Sequence, residues 1–126
     1  MAVVTRTEAT FGPSLEQAVA ARRFASRVVA DAGLAHAVHD VALAAGELAA
    51  NAAEHAATAF ELAVVLEHGP VIRIEVVDGS SALPVRPDID HYDERGRGIA
   101  LIELVARAWG VESVDGGKRV WVELEG

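Results

Sequence analysis

The sequence predicts an α+β fold: a two-layer α/β sandwich in which a mixed, mostly antiparallel sheet carries three helices on one face. Three observations predict it. Strand-like runs come in pairs joined by links of a few residues, which suits antiparallel hairpins and is too short for a parallel crossover. Two helical patterns stand back to back before the first such pair, so strands and helices do not alternate as in a doubly wound sheet. The chain has 126 residues, 52% hydrophobic and 24% charged, which is one domain's worth and enough for a real core. We read residues 1–126 as a single domain without an internal repeat.

Val3 to Phe11 alternate loosely and form the first strand, ended by Gly12-Pro13. Ser14-Leu15-Glu16-Gln17 has the capping-box pattern: the Ser14 hydroxyl takes a free amide while Gln17 reaches back. The helix it opens places Leu15, Val19, Phe24, Val28 and Val29 on or near one side and stops at Gly33. A second, alanine-rich helix runs from about Ala35 to about Ala57, with Val38, Val41, Ala45, Leu48 and Ala52 recurring every three or four residues. Ala59 to Glu67 and Val71 to Val77 make a hairpin around His68-Gly69-Pro70. Ala82 to Arg95, with three Asp, two Pro and no period, reads as a loop. Gly96-Arg97-Gly98 opens a third helix over Ile99 to Ala108, with Ile99, Ile102 and Val105 as core positions. Val111 to Val114 and Lys118 to Leu124 close the chain around Asp115-Gly116-Gly117. In the last strand Val120, Val122 and Leu124 point one way and Arg119, Trp121 and Glu123 the other.

Composition excludes several classes. Net charge is −8, from 11 Lys+Arg against 19 Asp+Glu, which argues against a nucleic-acid grip. Without cysteine there is no disulfide, thiolate nucleophile or thiolate zinc site. No apolar stretch reaches the roughly 18–20 residues that span a bilayer, and MAVVTRTEAT lacks the apolar core of a secretory signal, so the expected location is the cytoplasm.

Three constellations carry possible chemistry. Glu47, Asn51 and His55, spaced by four, form a polar stripe on a helix otherwise rich in alanine and leucine. Asn is a poor helix former, so its place mid-helix hints at a task, although a solvated helix face accounts for the stripe as well. Asp78 ends a strand ahead of Gly79-Ser80, and its acceptor-only carboxylate suits an exocyclic amine, which adenine offers. An ordinary Asp-Gly turn is the plainer account. Gly96 and Gly98 precede a helix whose free amides and dipole favour an anion, with Arg95 and Arg97 adjacent. A hinge is the bland alternative, and neither a Walker nor a Rossmann pattern is present.

Each signal is weak alone, and their order is informative. An Asn-bearing helix, a strand ending in Asp-Gly, a variable loop and a Gly-x-Gly helix start resemble the N, G1 and G2 boxes of the GHKL ATPase superfamily, which has the Bergerat fold. Glu47-Leu48 and Asn51-Ala52 fit its N box, and His55-Ala56 resembles the ending of that box in the anti-sigma-factor branch. Gly98-Ile99-Ala100-Leu101, Arg107-Ala108-Trp109-Gly110-Val111 and Gly117-Lys118-Arg119-Val120-Trp121 resemble later segments, so the similarity extends from about Ala21 to Leu124. The chain departs at Ser80 and Ala82, where the G1 box carries glycines, and at Arg119, where a Thr often helps bind the adenine edge.

The resemblance implies an ATP-binding regulator, an anti-sigma factor with serine/threonine kinase activity toward an anti-anti-sigma partner of the STAS class. It implies Mg²⁺ and ATP as cofactors. Glu47 would be the general base and Asn51 the magnesium ligand. Asp78 would read adenine, with Ser80 beside it, and Gly96, Arg97, Gly98 and Ile99 would hold the phosphates. The loop of residues 82–95, with His91 and Tyr92, would be the ATP lid. The expected partners are a sigma factor, the STAS protein and a second copy of the chain through the exposed sheet face, with no direct nucleic acid and no membrane. Two other readings stand beside this one. One is an ATP-binding module without catalysis. The other is a metal-dependent hydrolase using His36, His39, Asp40, Glu54 and His55, residues more simply read as an exposed helix face.

Overall fold

The computed structural model describes residues 4–56, 58–79 and 96–126, and of residues 55, 56 and 96–100 the backbone alone. Its elements are β1 (Val4–Phe11), α1 (Leu15–Asp31), a short 3₁₀ turn (Ala35–Ala37), α2 (Val38–Asn51), a π turn (Ala52–Ala56), β2 (Phe60–Glu67), β3 (Val71–Asp78), α3 (Gly96–Val105), β4 (Ala108–Val114) and β5 (Gly117–Glu125). The five strands form one sheet in the order β1-β2-β3-β5-β4, and each described ladder is antiparallel. This is the α+β, two-layer arrangement the sequence predicts.

Sheet alternation decides what each layer buries. Phe60, Leu62 and Val64 of β2, Ile72, Ile74 and Val76 of β3, and Val122 and Leu124 of β5 share the core with α1 and α2. Each such side chain, fully buried, contributes roughly 1.5–3 kcal/mol. Phe11 closes one end, stacked on Phe60 with ring centroids 5.6 Å apart and edge-on to Phe24 at 5.9 Å.

The first helix differs from expectation. Its cap forms as read, Ser14 Oγ accepting from the Gln17 amide at 3.1 Å, but Gln17 Oε1 reaches past the cap to accept from the Gly12 amide at 3.1 Å. Its fully buried stripe is Ala18, Ala21, Ala25 and Val29, while Leu15 is 60% exposed and Val19 is exposed too. Small side chains face α2, whose own buried stripe includes Ala44, Ala45 and Ala49. Two alanine-lined faces pack closely, which leaves the larger residues of α1 on the shoulders. Gly33, at φ 83°, ends the helix in the left-handed conformation that favours glycine.

Two other boundaries move. The third helix starts at Gly96, so both glycines lie within its first turn, and it stops at Val105 because Arg107 already donates its amide to the Glu123 carbonyl at 2.8 Å. Pairing with β5 then extends β4 back to Ala108. Among the described residues, no helix is long and apolar enough to cross a membrane.

Candidate functional site

Asp78 is the last residue of β3, held between Phe60 of β2 and Lys118 of β5. It faces the same side as Ile72, Ile74 and Val76, toward the helices, and its side chain is only 1% exposed. A carboxylate so buried requires a counter-charge or dense hydrogen bonding. Lys118 supplies the charge: its Nζ lies 3.4 Å from Asp78 Oδ2, and its own side chain is 11% exposed. Beyond Asp78 the chain leaves the sheet, and the Gly79 amide donates to Thr58 Oγ1 at 3.2 Å.

Gly117 completes this corner. A Cβ at Gly117 would overlap the Asp78 carbonyl oxygen and would sit 3.0 Å from that carbonyl carbon and 3.2 Å from Gly79 Cα. Ordinary carbon–carbon contacts are about 3.5–4.0 Å, so only glycine lets β5 start this close to the end of β3. The sequence singles out Asp78 but not Gly117 or Lys118. A signal was present in the second glycine of Gly116-Gly117, since the left-handed turn position needs only Gly116, at φ 76°.

Glu47 and Asn51 lie one turn apart on α2, both half-buried. α2 packs against β3 and β5 and also touches α3, so it is the common neighbour of the elements that carry the other candidates. Directly after Asn51 the helix widens into the π turn, which contacts β3. The regular geometry that aligns Glu47 with Asn51 ends there, and His55 sits in the wider turn. Single π turns inside helices recur at functional sites. Gly96, Arg97, Gly98 and Ile99 form the first turn of α3, where helix amides have no internal acceptor. Ser80, and the loop of residues 82–95 with His91 and Tyr92, lie outside the described residues.

Arg119 is not part of this corner. Opposite Val77, it projects to the other face of the sheet, where Nη1 donates to Glu112 Oε1 at 2.8 Å and Nε lies 3.6 Å from Glu75 Oε1. Antiparallel alternation therefore puts Lys118 at the candidate site and Arg119 on the opposite face of the sheet. The opposite face is a charged lattice centred on Glu75, which accepts from Arg6 Nη1 at 3.0 Å and Arg73 Nε at 2.7 Å. Arg73 also bonds Glu123 at 3.2 Å and lies 4.3 Å from the Trp121 ring centroid. Burial pushes the Glu75 carboxyl up, but the hydrogen bonds from Arg73 and Arg6 and their charges outweigh it and hold it below the usual glutamate range. His36, His39 and Asp40 are exposed, and among the described residues no group of three or more His, Asp or Glu is placed to hold a metal ion.

The family model of the histidine kinase-like ATPase domain matches residues 11–124 of the chain. No curated protein matches it. The matched span takes in every element from the end of β1 to β5, including Glu47, Asn51, Asp78 and the first turn of α3.

Proposed function

The chain belongs to the histidine kinase-like ATPase domain family, an ATP-binding one, and from that premise we propose that it is a Mg-ATP-dependent anti-sigma factor. On this reading it phosphorylates a serine or threonine of an anti-anti-sigma protein of the STAS class. The observation that carries the nucleotide site is Asp78, an almost fully buried carboxylate at the end of a central strand, beside a glycine that leaves no room for a side chain. Ionised, it only accepts hydrogen bonds, which suits the 6-amino group of adenine and opposes a 6-oxo group.

The remaining residues fit the other parts of the nucleotide. An amide oxygen is a suitable ligand for a hard cation that keeps most of its waters, and Asn51 offers one on a half-buried helix face. Bound magnesium supplies charge neutralisation at the phosphate oxygens. Glu47, one turn before Asn51 on the same face, takes the proton of the incoming hydroxyl as its oxygen bonds the γ-phosphorus and the bond to the departing ADP breaks. The first-turn amides of Gly96, Arg97, Gly98 and Ile99, which have no acceptor within the helix, bind phosphate oxygens, aided by the helix dipole. The choice of a sigma factor and a STAS protein as partners rests on the likeness of His55-Ala56 and of Gly98 to Val111 to the anti-sigma branch.

The test is incubation with γ-labelled ATP and a STAS-domain protein, using wild type and Glu47→Ala. Label should move to the STAS protein with wild type and not with Glu47→Ala, while calorimetry shows the variant binding ATP within about threefold of wild type, since a general base acts on the reaction more than on binding. Full-rate transfer by Glu47→Ala removes Glu47 from the mechanism. ATP binding with neither transfer nor hydrolysis in wild type makes the protein a nucleotide-dependent binding module.

A further inference from the structure

We infer that the Thr58 hydroxyl is a positioning residue for the nucleotide site: by accepting from the Gly79 amide it sets the peptide that follows Asp78, and so the backbone frame from which the Asp78 side chain departs. The inference deepens the ATP-site reading and rests on it.

Asp78 pairs with Phe60 at the end of the β2–β3 ladder and with Lys118 at the end of the β3–β5 ladder. One step further the register would set Gly79 between Ala59 and Gly117, but neither ladder continues. The Gly79 amide therefore has no strand carbonyl to meet, and among the described residues it donates to Thr58 Oγ1 at 3.2 Å instead. Thr58 stands two residues before β2, close to the anchor that the buried Phe60 ring provides. A peptide unit is planar, so holding both its ends fixes the dihedrals on either side. The Asp78 carbonyl oxygen is packed against Gly117, where a Cβ would overlap it, and the amide end is held by Thr58. Glycine at 79 has no side chain to fix its own conformation and the widest backbone freedom of any residue. Without the hydroxyl the peptide turns to other orientations, and apparent affinity falls with the fraction of molecules in the competent one. Thr58 and Gly79 are both exposed, so the hydroxyl adds little to the core and its effect falls on the site. Thr58 also follows the π turn that leaves Asn51. The tether thus joins the helix end with the proposed metal ligand to the strand end with the proposed base contact.

The experiment uses the full chain as wild type, Thr58→Val and Thr58→Ser. It reads ATP affinity by calorimetry with Mg²⁺, hydrogen exchange of the Gly79 amide by NMR without nucleotide, and the urea midpoint. Valine keeps the branched shape and removes the acceptor, whereas serine keeps the acceptor. Thr58→Val should speed exchange at Gly79 and weaken ATP binding by about three- to tenfold, the range of one neutral hydrogen bond. Its urea midpoint should stay close to that of wild type. Thr58→Ser, which keeps the hydroxyl without the β-branch that stiffens it, should stay within about twofold of wild type in affinity. If Thr58→Val does not fold, Thr58→Ala takes its place with the same expectation. A folded Val or Ala variant with wild-type ATP affinity, or with wild-type exchange at Gly79, overturns the inference. So does a Ser variant as weak as Val, or an affinity loss matched by a lowered urea midpoint, which marks a merely structural role. Wild type that binds no ATP fails at the earlier step, the nucleotide-site reading, whatever the Gly79 amide does.

Discussion

Gly117→Ala tests the corner where two strand ends meet. The added Cβ would overlap the Asp78 carbonyl oxygen and stand 3.0 Å and 3.2 Å from two further backbone carbons. Those contacts fall short of ordinary separation by about 0.5 Å, and the oxygen contact by more. No rotamer change relieves a clash between Cβ and backbone, so β5 must retreat from β3 at the Asp78–Lys118 pair. Overpacking typically costs about 1–3 kcal/mol, and we expect the upper end, about 3 kcal/mol, or roughly 10 °C in Tm for a domain of this size. The same retreat moves Asp78 relative to its partners, so ATP affinity should fall by about ten- to a hundred-fold, as for loss of a charged hydrogen bond. Gly116→Ala is the control. Its φ of 76° imposes strain of about 1 kcal/mol, but nothing lies within 4 Å of the added Cβ, so ATP affinity should be unchanged. Urea denaturation and calorimetry on the two variants decide the matter. Equal stability and equal affinity for the two alanine variants would refute the account of this corner.

Three further outcomes are expected. Asn51→Ala should lower ATP affinity measured with Mg²⁺ by about tenfold or more, at least what loss of a metal-supporting group costs, and leave Mg²⁺-free binding nearly unchanged; calorimetry with and without the ion checks it. Glu75→Gln should destabilise the protein at neutral pH by about 1–3 kcal/mol, since it leaves arginines without their shared carboxylate. Because the folded-state pKa of Glu75 is lowered, its contribution is present above the unfolded value, near 4.5, and is lost as pH falls through the folded value, so the wild-type advantage in urea should be level from pH 8 to about 5 and shrink below about 4. Ser14→Ala should cost about 1 kcal/mol through the lost N-cap and leave ATP binding untouched.

Local chemistry made much of the fold readable. Ser14, Gly33 and the short links at residues 68–70 and 115–116 specify a cap, a stop and two turns by stereochemistry that acts within a few residues. Period-two alternation in β5 assigned Val122 and Leu124 to the core and Arg119, Trp121 and Glu123 to the other face. The candidate residues Glu47, Asn51 and Asp78 were visible because each is polar where the local pattern calls for something else. On α1 the expected face holds at Val29, with Phe24 and Val28 packed at the edge of the core, and fails at Leu15 and Val19, which are exposed; alanines take the innermost stripe since the neighbouring helix is itself lined with alanine. The end of α3 and the start of β4 escaped because pairing with β5 overrides local preference.

What the sequence determined by itself is the set of elements, the antiparallel hairpins and the residue types available for nucleotide chemistry. What only the tertiary structure decided is which cation meets the buried acid. Lys118 and Arg119 are adjacent in the chain and alike in charge, and they are separated by the thickness of the sheet. The ladder register places one beside Asp78 and the other beside Glu75. Register is a relation between strands distant in sequence, set by the packing of a whole face, and no single segment contains it.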